Sequence, residues 1–137
     1  MLPLALTGAL VLLLSSLSLH ATLLHARRVQ AAERHQLLLA DQLASAAHKL
    51  AGALEGRFAC LRELPSDRWG GTSAAAACPA DLDPSQLLSF AISGGEVRLI
   101  RWTPLDEGGL FELQLADQGA GTRRQFAWGR SGLRELG

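Results

Sequence analysis

The first 26 residues of the chain contain no Asp, Glu, Lys or Arg. Leu and Ala dominate residues 2–26, and Arg27 and Arg28 follow directly. A helix needs about 20 consecutive apolar residues to cross the hydrocarbon core of a bilayer. The run therefore predicts a membrane-spanning helix at the start of the sequence, and this limits what the remaining residues can do.

A cleaved secretory signal is the other use of such a run, and it normally has a basic segment before a shorter apolar core. No basic residue precedes the core here, and Ser16 and Ser18 offer only a weak cleavage site. An uncleaved anchor is therefore favoured. Arg27 and Arg28 would place their end of the span in the cytoplasm, whereas the cysteines described below favour export. A short basic leader before Met1 would reconcile the two.

Beyond the apolar run the pattern becomes amphipathic. Apolar and small residues recur at steps of three and four, which places them on one stripe of a helix; the stripe is Val29, Ala32, Gln36, Leu39, Leu43, Ala46, Leu50 and Ala53. We predict one continuous helix over residues 4–54 and an N-terminal domain over 1–55. Leu39, Leu43 and Leu50 are expected to pack on the chain's own sheet, since the stripe makes a weak coiled-coil seam.

Within the apolar run, Ala5, Gly8 and Ala9 lie close together on one side of the predicted helix. Small residues let two membrane helices approach closely. These three are therefore candidates for helix–helix packing in the membrane.

Residues 56–137 are predicted to form a small domain outside the membrane, called the head. An irregular stretch over 56–86 comes first. Four short segments follow in which apolar and polar residues alternate, as in strands, and turn signals separate them; they are 87–93, 96–103, 110–116 and 122–128. We expect a two-residue hairpin link at Gly94 and Gly95 and a turn at 119–121.

The alternation within these segments predicts which side chains share a face. In the segment 96–103, Val97 and Leu99 lie on one side, and Ile100 and Trp102 lie on the other. In the segment 110–116, Phe111, Leu113 and Leu115 face one way. The result is an antiparallel meander with one apolar face, which the amphipathic helix covers. The predicted fold class is α+β: a long N-terminal helix, membrane-spanning in its first half and amphipathic in its second, packed on a small antiparallel β-meander.

The two cysteines, Cys60 and Cys78, both lie in the irregular stretch. In an exported domain such a pair is expected to form a disulfide. Closing a loop of about 18 residues stabilises a small domain by roughly 3 kcal/mol. Two unrelated reduced thiols are the alternative.

Several functions are disfavoured. The 13 basic and 13 acidic residues balance, so no nucleic-acid partner is expected. The sequence lacks a phosphate-binding glycine loop, a nucleophile elbow, a Cys–His pair and a zinc signature; we predict no enzymatic activity, no cofactor and no metal. Asp81 and Asp83 could contribute to a calcium site. The favoured alternative is that Asp83 caps a helical turn that begins at Pro84.

The layout resembles that of type IV pilins and type II secretion pseudopilins, and most closely their divergent minor members. The resemblance rests on LPLALTGALVLLLSSLSLHATLLHARR followed by QLLLADQLASAAHKLAGAL. The fifth residue is Ala5, where most members of the family carry Glu, although some tip subunits also lack it. The resemblance implies a filament subunit whose apolar helix packs among those of other subunits while the head faces outward.

Two functions follow as hypotheses. The first is a non-enzymatic minor pilin or pseudopilin-like subunit that contributes to filament assembly or to the tip. It would lie in the inner (cytoplasmic) membrane as a single-pass protein with its head outside the cytoplasm, or in a periplasmic or extracellular filament. The second is a single-span envelope protein whose head binds a partner or ligand. A domain released by signal cleavage is a third and weaker hypothesis.

Overall fold

The computed structural model of the protein describes residues 2–118 and 122–137. The chain forms two compact units, Met1–Leu38 and Leu39–Gly137. Helix α1, Leu2–Glu55, contributes to both units. The domain boundary predicted at residue 55 corresponds to the end of this helix. The compact units instead divide within it, because Leu39 is its first buried residue.

Helix α1 forms because its sequence consists mainly of Ala, Leu and other good helix formers, with no proline after Pro3. Gly56 follows its last residue, and the Gly56 N–H donates to the Gly52 carbonyl at 3.0 Å. The predicted stripe is only partly buried, since Val29, Ala32 and Gln36 are exposed. The buried residues of the helix all lie in its last third: Leu39, Leu43, Ala46, Ala47, Leu50, Ala51 and Leu54.

Short helical elements occupy the stretch predicted to be irregular. Single 3₁₀ turns at Ala59–Leu61 and Ser66–Arg68 are followed by helix α2, Thr72–Ala77, and helix α3, Ser85–Leu88. The prediction that Leu87 and Leu88 begin a strand is wrong. Local turn chemistry at Asp83 and Pro84 nucleates a helical turn there and overrides the alternating pattern of side chains.

Five strands form one antiparallel sheet in sequential order. They are β1 (Ser89–Ile92), β2 (Gly95–Leu105), β3 (Gly108–Leu115), β4 (Arg124–Gly129) and β5 (Gly132–Leu136). The predicted α+β class, a long N-terminal helix with an antiparallel meander, is confirmed. Strand β5 was not predicted, although the pairing of Gly129 with Gly132 closes a tight hairpin into it.

A β-bulge in strand β2 changes which of its side chains reach the core. Leu99 pairs with Leu113 and Arg101 pairs with Glu112, so Ile100 is an extra residue. The bulge shifts the alternation by one position, and Val97, Leu99 and Trp102 are all buried as a result. The prediction that Trp102 faces away from Val97 and Leu99 is therefore wrong.

The first hairpin also differs from its prediction by one residue. Ile92 pairs with Gly95, so the turn residues are Ser93 and Gly94. Gly94 has a φ of 102°, a conformation that favours glycine. The turn predicted at 119–121 lies outside the described residues.

The unit Leu39–Gly137 is called the head from here on, since the last third of α1 belongs to it. Its core is one hydrophobic cluster that joins α1, the connecting stretch and the sheet. Its aromatic centre is Trp102, whose ring centroid lies 4.7 Å from that of Phe111 and 5.9 Å from that of Trp128. A Cβ atom built at Gly109 would overlap the Trp102 ring. Glycine at this position is thus what lets the indole lie flat on strand β3.

Candidate functional site

The apolar part of α1 is the first candidate site. It is the one helix among the described residues that is long and apolar enough to cross a membrane. None of its most apolar window is buried in the protein, and Leu10, Leu13 and Leu17 are each about 60% exposed or more. Soluble proteins rarely leave so large an apolar surface uncovered. Length and composition would also suit a signal sequence.

Four polar side chains in this apolar segment, those of Thr7, Ser15, His20 and Thr22, hydrogen-bond to the helix itself. The Ser15 hydroxyl donates to the Val11 carbonyl at 2.8 Å, and the Thr22 hydroxyl donates to the Leu19 carbonyl at 2.8 Å. His20 Nδ1 lies 2.8 Å from the Ser16 carbonyl oxygen. Such bonds to carbonyls three or four residues earlier satisfy polar atoms that would otherwise be unpaired in lipid. The segment is therefore compatible with a hydrocarbon environment despite its hydroxyl groups.

The predicted small-residue surface is exposed. Ala5, Gly8 and Ala9 are all exposed residues of α1, and a Cβ built at Gly8 meets no atom within 4 Å. The three positions share one side of the helix at 3.6 residues per turn. A second helix has room to approach this surface closely.

The six residues predicted to pack helix on sheet all belong to the buried cluster. Leu43 and Leu50 are each 1% exposed, and Phe111 and Leu113 are fully buried. Leu39 and Leu115 lie at the margin of the same cluster, at 8% and 4%. The stretch of α1 after Leu38 thus serves as part of the core of the head.

The predicted disulfide is confirmed. Cys60 and Cys78 are bonded, with their Cα atoms 5.3 Å apart and 18 positions apart in sequence. The bond ties the 3₁₀ turn after α1 to the end of α2. The cross-link adds to the backbone hydrogen bonds of the turns and to the burial of Leu61 and Trp69, which also hold this stretch.

A cleft of about 460 Å³ lies beside the disulfide. Small and apolar residues line it, including Trp69, Ala75, Leu82 and Leu88, and Asp83 is its acidic group. The Ser85 hydroxyl and the Ser85 N–H, which lies 3.0 Å from Asp83 Oδ1, stabilise the carboxylate and lower the pKa of Asp83. Asp83 thus accepts a hydrogen bond from the first residue of α3, although the helix begins at Ser85 and Pro84 holds the N-cap position that was predicted for Asp83.

Basic and acidic side chains of the head lie next to each other in pairs. Arg123 lies 3.4 Å from Glu112, Arg124 lies 3.4 Å from Glu135, and Arg130 lies 3.0 Å from Glu107. Asp81 lies 4.0 Å from Arg57, in an exposed pair of little energetic weight. Among residues 2–118 and 122–137, no group of three or more His, Cys, Asp or Glu side chains is arranged to hold a metal ion.

Two features of the head were not predicted from the sequence. Trp69 lies in the glycine-rich connection but is only 1% exposed, and its indole N–H donates to the Leu64 carbonyl at 2.8 Å. A tryptophan in a connection between helices is a signal that the connection is packed on the core. Lys49 is the second: its Nζ donates to the Ala91 carbonyl at 3.0 Å, and no pattern in the sequence indicates that contact.

Comparisons of the chain with protein-family models, with characterised proteins and with solved structures give no match.

Proposed function

We propose that this chain is a non-enzymatic, membrane-anchored subunit of the minor pilin or pseudopilin type, which contributes to filament assembly or to the filament tip. One observation supports the proposal: a single helix, α1, is charge-free and exposed from Leu2 to Ala26, and its last third forms part of the core of a disulfide-bonded α+β head. Such a helix can exchange lipid for the helices of other subunits without changing the fold of the head.

The proposed location is the inner (cytoplasmic) membrane, with the head on the outer side or in a filament beyond it. The Cys60–Cys78 bond supports this side, because disulfides persist in oxidising compartments and are rare in the cytosol. The positive-inside rule applied to Arg27 and Arg28 argues for the opposite side. Cys60 and Cys78 are both half-buried and pack against the hydrophobic core, so the disulfide is an integral part of the head and favours the outer side.

The proposed partners are the bilayer and the apolar helices of other subunits, met through Ala5, Gly8 and Ala9. This is tested by deleting the gene and restoring it as wild type, as Ala9→Leu or as Ala21→Leu. Both substitutions enlarge one exposed alanine of the same apolar helix. Ala21 faces away from the small-residue surface at 3.6 residues per turn, so it is the matched control.

We expect Ala9→Leu to lower the yield of sheared surface filaments, or of the secreted protein, at least tenfold, while Ala21→Leu restores it. Both variants should remain in the membrane fraction in wild-type amounts. Wild-type yield from a strain that lacks the gene would refute a role in assembly. Equal effects of the two substitutions would refute the contact surface.

The alternative function is a single-span envelope protein whose head binds a partner or ligand. The cleft of about 460 Å³ beside the disulfide favours it. In that case Ala75→Trp, which fills the cleft, abolishes function, whereas Ala76→Trp, on the same helix α2 but outside the cleft lining, does not. Ala9→Leu is then without effect.

A further inference from the structure

Strand β1 is an edge of the sheet, because it pairs with β2 on one side only. The Glu96 carbonyl accepts a hydrogen bond from the Ala116 N–H at 2.9 Å, so the backbone polar groups of Glu96 point toward β3. Ala91 is the residue opposite Glu96 in β1. In an antiparallel ladder, the N–H and C=O of one residue point the same way, and paired residues point either toward or away from each other. The N–H and C=O of Ala91 therefore point out of the sheet edge.

Lys49 occupies this exposed position. Its Nζ donates to the Ala91 carbonyl at 3.0 Å and lies 5.4 Å from the centre of the Phe90 ring. It is the only lysine of the chain, whose other cationic side chains are arginines. The part of α1 that carries Lys49 packs in the core of the head, so the backbone of Lys49 is held in a fixed position relative to strand β1.

A second contact from the same helix lies at the same hairpin. Gln42 precedes Lys49 by seven residues, which is two helical turns, and its side chain lies against Gly94 in the β1–β2 turn. The two side chains thus share one side of α1 and meet the hairpin at two points. This arrangement limits the movement of β1 away from Lys49.

We propose that the contact of Lys49 with strand β1 blocks this edge of the sheet, so that β1 does not pair with β1 of a second copy of this chain. An unpaired edge is a template for strand addition, and lysine side chains are one means by which proteins block it. Two copies of β1 related by a two-fold axis at Ala91 would exchange two hydrogen bonds, each from an Ala91 N–H to the partner's Ala91 carbonyl. Lys49 occupies that carbonyl and covers the neighbouring ring.

The inference goes beyond the proposed function and does not depend on it. Copies held in one membrane meet at high local concentration, and pairing through the apolar helices would bring their heads together. A closed β1 edge removes one of the two sheet edges, β1 and β5, through which the heads of two copies could pair.

The test measures the protein mass per micelle of the full chain in mild detergent by light scattering over a range of protein concentrations. Lys49→Met keeps much of the length of the side chain and removes the donor and the charge. Lys49→Arg keeps both, and Arg34→Met, an exposed cation of α1 outside the head unit, is the control for loss of charge. Lys49→Leu, which also lacks a donor and a charge, serves as a second loss variant if Lys49→Met does not form the disulfide-bonded head. Association through the apolar helix is common to all variants and is measured in the wild type.

We expect Lys49→Met to dimerise at a concentration at least tenfold lower than the wild type, whereas Lys49→Arg and Arg34→Met behave like the wild type. Adding Ala91→Pro to Lys49→Met should restore wild-type behaviour. Proline removes the outward N–H and blocks the edge, while leaving the bonds of β1 to β2 intact. The proposal is overturned if neither neutral variant associates more strongly than the wild type, or if Ala91→Pro fails to reverse the association.

Discussion

Replacement of Leu50 by Ala tests whether the last third of α1 is part of the core of the head. Leu50 is 1% exposed within the cluster that joins helix and sheet. Truncating a buried leucine to alanine removes apolar contacts and leaves a cavity, which costs about 2–5 kcal/mol. For a head of this size, each kcal/mol lowers the midpoint of thermal unfolding by about 4–8 °C. We therefore expect a fall of the order of 15 °C.

The matched control is Leu37→Ala, the same change on the same helix at a residue that is 70% exposed. It should alter the free energy of unfolding by no more than about 0.5 kcal/mol. The assay follows tryptophan fluorescence of the full chain in mild detergent during heating, because Trp69 and Trp102 are buried in the folded head. Equal midpoints for the two variants would refute the assignment of this part of α1 to the core.

Three further predictions concern the anchor, the disulfide and the sheet. Leu13→Arg should release or destabilise the protein in membranes, since arginine at the centre of a membrane helix costs about 3 kcal/mol; unchanged retention in the membrane fraction would contradict the span. Replacing Cys60 and Cys78 by Ser should lower the free energy of unfolding by about 3 kcal/mol and remove the difference between reducing and non-reducing gel mobility; a wild-type midpoint would contradict the role given to the bond. Gly109→Ala should destabilise the head because its methyl group overlaps the neighbouring indole, whereas Gly70→Ala, with open space around it, should not.

Much of the helical part was predictable from sequence. The spacing of Leu39, Leu43 and Leu50 is a local property, and a side chain at that spacing always lies on the same stripe. The residue of the stripe at which burial begins, by contrast, cannot be read from the local sequence. Val29 fits the stripe as well as Leu43 does, yet it is exposed, because burial depends on where the sheet lies.

The sheet was predicted less accurately, for two reasons. Alternation is interrupted wherever a bulge adds a residue, as at Ile100, and nothing in the local sequence marks the bulge. Weakly alternating segments such as β5 are recognised only through their pairing with a neighbouring strand, since the hydrogen bonds that define a strand belong to the ladder and not to the segment.

The charge-free helix, the apolar stripe and the meander could all be predicted from the sequence, because each depends on the composition or the spacing of neighbouring side chains. The tertiary structure was needed to show that Trp69 and Trp102 are buried and to confirm the bond between Cys60 and Cys78 that the sequence predicts. It also decided the contact of Lys49 with the sheet edge, which spans 42 positions in sequence. These features depend on the distance in space between distant residues, and that distance is fixed only when the helix, the connection and the sheet pack together.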